Sequence, residues 1–399
     1  DISPSLVLTD DISADGDLRF AKGVELMGAG SRIIGLVNAG DTVTFDALLD
    51  SATNTGLTLN LNGGGTVFTG AVGSGSRVGD ILVNNLGGAL LFSSTLTANS
   101  LVSQSGAGAV VLTGAVDLDP NPGADNPATE RLVVSAADIT IGATVTTDLI
   151  DLTFNNSLSL GVLNAETVQV TGVGQDLLFR LPDNIGEDVR NLLLQTTGIG
   201  DILIVGTPAL VDLANNSGDA TDRDVTNARF IAGRGLVFAG PATEWRFQNL
   251  FAGANQGIIF SVTAPLTFSW IDALDPNPVV GAGVFAFDAD MDNAGDENIT
   301  ILSADFTFTD RDIAGAGVFA MQDDIDAAGN LTIDRDARLF ADADGIITIA
   351  LTNNGNAVAD TLAVNFNNIL TAETDTGLTL DFSGIEAGDT AGAAFAAQV

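Results

Sequence analysis

Alternating aspartates are the residues of this chain best placed to do chemistry. Asp288, Asp290 and Asp292, followed by Asn293 and Gly295, would set their carboxylates along one side of an extended loop, as calcium-binding loops do. Asp342 and Asp344, followed by Gly345, form a shorter version. These five aspartates are the candidate metal ligands, and Ca²⁺ is the candidate ion. The longer stretch is not an EF-hand, because Asn293 stands where the invariant glycine belongs and Ile299 where the closing carboxylate belongs. Solvated acidic turns are the plainer reading of both stretches.

Catalytic signals are weak. The chain has no His, no Cys and no Tyr, so the commonest general base and the usual transition-metal ligands are missing. Carboxylate pairs can cleave glycosidic bonds, but acidic residues are too frequent here for one pair to stand out. Arg223, Arg229, Arg234 and Arg246 are suited to an acidic sugar, or to plain ion pairs with Asp222, Asp224 and Glu244. The Trp and Phe cluster over 236–271 could present a sugar-stacking platform, although a packed junction core uses the same residues. The sequence reads as that of a non-enzyme.

Charge narrows the partners. Fifty-one acidic residues against 14 basic ones give a net charge of −37. Such a surface repels nucleic acid and anionic membranes and is eased by divalent cations or salt. No apolar stretch approaches the roughly 20 residues that span a bilayer. The sequence opens at Asp1 without a charged-then-apolar leader, as expected if an export signal was removed or lies outside it.

What must position these side chains is a repeat of short strands. Leu57–Val72 matches Leu101–Val116 at an offset of 44, with Gly64 over Gly108 and a shared Thr-Gly-Ala-Val ending. Ile81 to Val83 and Gly87-Gly88 fall near the half-way point, so 44 reads as two turns of about 22 residues. Apolar and polar residues alternate at Leu57, Leu59 and Leu61, which points one face inward. Glycines at 63–65, 87–88 and 106–108 read as corners. Aspartates suit those corners because their side chains bond nearby backbone of their own turn. Residues 119–130 form a Pro/Asn/Asp excursion, and residues 183–190 suggest a short helical turn. Farther on, GAGVFA recurs at 281–286 and 315–320, and NITI at 298–301 matches NLTI at 330–333. Three regions follow: an N-terminal strand or cap segment, 1–50; solenoid repeats, 51–235; an aromatic junction and Asp-rich β-repeat region, 236–399.

The runs GGGTVFTGAVG, LGGALLFSSTL and GAGAVVLTGAV resemble the repeats of filamentous-haemagglutinin-like and autotransporter-type bacterial surface proteins. The resemblance covers roughly residues 40–210. It implies a right-handed parallel β-helix and an exported, elongated protein of the cell surface or extracellular matrix.

The expected fold is therefore all-β, a parallel β-helix with rungs of about 22 residues. Its C-terminal third either continues the solenoid or forms a β-sandwich-like module. The expected function is structural: a self-assembling extracellular filament subunit or adhesin rod, joined end to end by strand addition. Copies of itself are the expected partners, with divalent cations or surface glycans as further ones, and neither nucleic acid nor membrane insertion is expected. A carbohydrate-active β-helix enzyme, a polysaccharide lyase or glycosidase, is the alternative from another class. An acidic surface-layer component is the third.

Overall fold

A strand that alternates apolar and polar residues must bury one face, and a parallel stack of such strands closes on itself when glycine corners let the chain turn. The computed structural model shows this arrangement. It describes residues 6–395 except 104–107, 121–125, 182, 187–188, 208–209, 214–224, 226, 248, 263–265, 270–283, 289–298, 302–304, 310–317, 322–323, 329, 335, 340–345, 352–360, 368–369, 373–376 and 382–389. Among the described residues there is no helix. The chain divides into two units, residues 1–175 with 184–189, and residues 176–183 with 190–399.

Unit 1 is a parallel β-helix with three faces. The first face stacks Leu6–Leu8, Val24–Leu26 and Leu49–Ser51 and continues through Val72 and Leu96 to Val116–Asp117, Val145–Thr146 and Leu163–Asn164. The second runs from Ile12–Ala14 through Ser31–Leu36, Gly56–Asn60 and Val78–Asn84 to Thr167–Val173. The third begins at Leu18–Phe20 and passes through Thr42–Phe45, Gly65–Phe68, Ala89–Phe92 and Ala109–Leu112. Leu57 faces Ile81, and Ile81 faces Leu101. The repeat of 44 is thus two coils, of 24 and 20 residues, as the side-chain bonds Asn84 to Asn60 and Ser100 to Asp80 also record. The 119–130 excursion lengthens one coil, so that Ser100 faces Arg131. Ile185, in the stretch that suggested a helical turn, instead forms a parallel bridge with Leu163.

Stacking in register makes columns of like residues. Phe20, Phe45, Phe68 and Phe92 lie ring on ring at 4.8, 4.8 and 4.4 Å, the rise of one coil. Leu112 and Ile141 continue that column. At one corner the coils approach so closely that a Cβ on Gly64 would lie 1.7 Å from the Asp41 carbonyl oxygen. Aspartates do occupy corners, but many bond the next coil rather than their own. The carboxylates of Asp11, Asp17 and Asp50 accept from the backbone N–H groups of Ile33, Thr42 and Gly75. In a stack, the amide one coil away is nearer than a turn of the same strand.

Unit 2 is also a parallel solenoid. One of its sheets has eight strands, from Leu177–Leu181 to Gly377–Asp381, and another has seven, from Leu210–Asp212 to Thr390–Phe395. A third face runs from Asn191–Thr197 to Leu370–Ala372. The last third therefore continues the solenoid and does not form a sandwich. Val284 faces Val318, so the GAGVFA offset of 34 is one coil. The other repeat is not structural. Ile299–Ile301 stacks on Ile325–Ala327, whereas Leu331 stacks on Phe306 in a different sheet. Both segments match because any inward β-position accepts Ile or Leu between Thr residues.

Candidate metal centre

Most of the aspartates singled out in the sequence, Asp290, Asp292, Asp342 and Asp344, lie outside the described residues. Asp288 ends the strand Val284–Asp288 and pairs with Gly253. The described residues bring together a different set of carboxylates, in unit 1, at the base of the 119–130 excursion. Asp119, Glu130 and Asp148 each place a carboxylate oxygen within 4.8 Å of the others.

The coil register explains the meeting. Glu130 immediately precedes Arg131–Ile141 and Asp148 immediately precedes Leu149–Ser159, and Arg131 faces Leu149. The two acids therefore occupy the same corner of successive coils, about 4.8 Å apart along the axis. Each has the parity of the inward-facing Leu132 and Ile150, and both are buried, at 6% and 7% exposure. Asp119 arrives from the start of the excursion, after Val116–Asp117. Its backbone N–H donates to Asp117 Oδ1 at 3.1 Å. Arg77 holds the same place from below, donating to the Asp117 carboxylate at 2.8 Å and to the Asp119 carbonyl at 3.2 Å. On the far side of the excursion, the Asn126 N–H donates to Asp148 Oδ2, and the Glu130 N–H to the Asn126 carbonyl at 3.0 Å.

Three carboxylates this close repel one another. Two unit charges about 5 Å apart cost roughly 3 kcal/mol at an effective dielectric near 20. Burial accordingly pushes the Glu130 carboxyl above its ordinary range, helped by the charges of Asp148 and Asp119 and by a hydrogen bond with Asp119, while Arg77 opposes the shift. Glu130 Oε2 is buried without a hydrogen-bond partner. An all-oxygen, anionic corner of this kind can hold a hard divalent cation or share a proton. The signal was present in the sequence as an acid directly before three successive strands, Glu130, Asp148 and Glu166. Its step is 18 residues, not 22.

No family model matches the chain, and the searches of curated proteins and of solved structures likewise give no match. The site is thus argued on its own geometry.

The other candidate groups in unit 2 are structural where they are described. Phe238, Trp245, Phe247, Phe260 and Phe268 are fully buried, and Trp245 packs against Phe238, Phe247 and Phe268, so no sugar can stack on them. Arg234 pairs with Asp201, Arg246 with Glu244, and Arg229 lies 4.7 Å over the Phe251 ring. Arg223 lies outside the described residues.

Proposed function

We propose that the protein is a structural component of an extracellular or cell-surface assembly, a stack of coils that takes up another copy at its open edge. The observation that carries this reading is the strand Thr390–Phe395. It pairs on one side with Thr361–Phe366, and among the described residues no strand covers its other side. Phe395 is 43% exposed and stacks on Phe366 at 5.3 Å, leaving its outer ring face open. Leu6–Leu8 is a second edge, paired only with Val24–Leu26 among the described strands. Leu6 and Val7 are 48% and 44% exposed there. Open parallel edges with apolar side chains recruit further strands, and head-to-tail addition that does not close gives a filament. The net charge of −37 keeps side walls apart unless divalent cations bridge them. The resemblance to bacterial surface repeats agrees with this reading.

Light scattering across a concentration series, with negative-stain microscopy of the same samples, tests it. The chain is expected to associate end to end, and Ala393→Lys combined with Phe395→Lys is expected to leave it monomeric. A chain that stays monomeric at every concentration, or association that the double variant leaves unchanged, would overturn the proposal.

A further inference from the structure

We propose that Asp119, Glu130 and Asp148 form a calcium site that ties the 119–130 excursion to two successive coils of unit 1. The inference does not rest on the number of acids. Glu130 is more than nine-tenths buried, and its Oε2 has neither water-facing surface nor a hydrogen-bond partner. A carboxylate oxygen in that position calls for a ligand, since burial without one is costly. Asn99 Oδ1 is a second buried oxygen without a partner. Asn99 immediately precedes Ser100, which faces Arg131, so it stands in the column of Glu130 and Asp148, one coil before Glu130.

Size and charge select the ion. The three carboxylate oxygens span no more than 4.8 Å, the width across a shell whose bonds are about 2.4 Å long, as for calcium. A magnesium shell, with bonds of about 2.1 Å, is narrower and demands near-octahedral order. The donors are all oxygen, which does not favour zinc. Two positive charges among three carboxylates leave one negative charge, and Arg77 lies close enough to act on Glu130. The surroundings fix the ligands without consuming them. Arg77 takes the Asp119 carbonyl and the Asp117 carboxylate, so it anchors Asp119 through its backbone. Calcium would thereby fasten the excursion at both of its ends, at Asp119 and at Glu130, and lock both to the next coil at Asp148.

The test is equilibrium dialysis of the whole chain against radioactive calcium at physiological salt. Wild type, Glu130→Gln, Asp148→Asn and the triple variant Asp288→Asn, Asp290→Asn, Asp292→Asn are compared. Glu130→Gln and Asp148→Asn are each expected to bind one calcium fewer per chain than wild type, and the triple variant to keep that calcium. Hydrogen exchange on the wild-type chain gives a reading that no substitution can spoil. Amides 126–131 are expected to slow at least tenfold on adding calcium, and not on adding the same concentration of magnesium. Unchanged stoichiometry in Glu130→Gln, or exchange at 126–131 indifferent to calcium, would show that the three acids share a proton and hold no ion.

Discussion

The two units stack strands by the same parallel pairing but fill their cores differently. In unit 1 successive coils differ little in length, as from Leu57 to Ile81 to Leu101, and the phenylalanines form one column of near-parallel rings. In unit 2 the coils run longer and unevenly. Asn227 bonds Asn191 across 36 residues, and Ile258 faces Ile299. Its aromatics meet edge to face as well as in stacks, around Phe238, Trp245, Phe260 and Phe268. The lesson is that stacking register survives wide variation in coil length, because the excursions leave at corners and the strands return to the same place. What changes is the core: a column is one-dimensional, whereas a cluster couples several faces.

The largest test of that contrast is paired truncation. Trp245→Leu removes a fully buried ring in contact with Phe238, Phe247 and Phe268, and is expected to cost about 3–5 kcal/mol. Phe68→Leu, between Phe45 and Phe92, is expected to cost only about 1 to 1.5 kcal/mol, since Leu112 and Ile141 already hold positions in that column. Denaturant unfolding followed by far-ultraviolet circular dichroism measures both. Equal losses would show that the column is as tightly coupled as the cluster.

How much could be read beforehand follows the same division. The repeat from Leu57 to Val116 was legible because two coils together keep a fixed sum, and glycines mark their corners. The GAGVFA offset was legible for the same reason. The NITI and NLTI match misled, because apolar alternation looks alike on every face and says nothing of which sheet a strand joins. The Asp119, Glu130 and Asp148 group was missed because two of its members are joined through a coil of 18 residues, while the third is brought in by the excursion. The bonds from corner aspartates to the next coil were missed because sequence shows only near neighbours.

Corners provide a test of intermediate size, on the feature the units share. A Cβ on Gly64 in unit 1 would meet the Asp41 carbonyl oxygen at 1.7 Å, and one on Gly240 in unit 2 would meet the Gly206 carbonyl oxygen at 2.4 Å. Both obstacles are backbone, which cannot rotate away. Gly64→Ala and Gly240→Ala are each expected to cost about 1–3 kcal/mol. Gly30, at a φ of +79° with nothing within 4 Å of a Cβ, is expected to lose only about 1 kcal/mol as Ala, from backbone strain. Thermal unfolding of the three variants ranks them. A harmless Gly240→Ala would mean that the longer coils of unit 2 are also more loosely stacked at this corner.

The smallest effects separate the units by sign. In unit 2, the Arg234 guanidinium holds the Asp201 carboxyl below its usual range, against some desolvation and with help from the Gly235 N–H. The unfolded chain then binds the proton more readily, so the pair's contribution is present above the ordinary carboxylate pKa and fades as pH falls through the folded value. Both partners are partly exposed, which limits the contribution to roughly 0.5–1 kcal/mol. In unit 1, burial pushes the Asp151 carboxyl upward. Here the folded chain holds the proton more tightly, so stability is lost as pH rises from the ordinary value through the raised one. Asp201→Asn is therefore expected to be less stable than wild type at neutral pH, and Asp151→Asn slightly more stable, with both converging on wild type in acid. Urea midpoints measured from acid to neutral pH, with chelator present, read the two slopes. If both variants lose stability at neutral pH, Asp151 has a partner that offsets its burial, and the opposition between the units disappears.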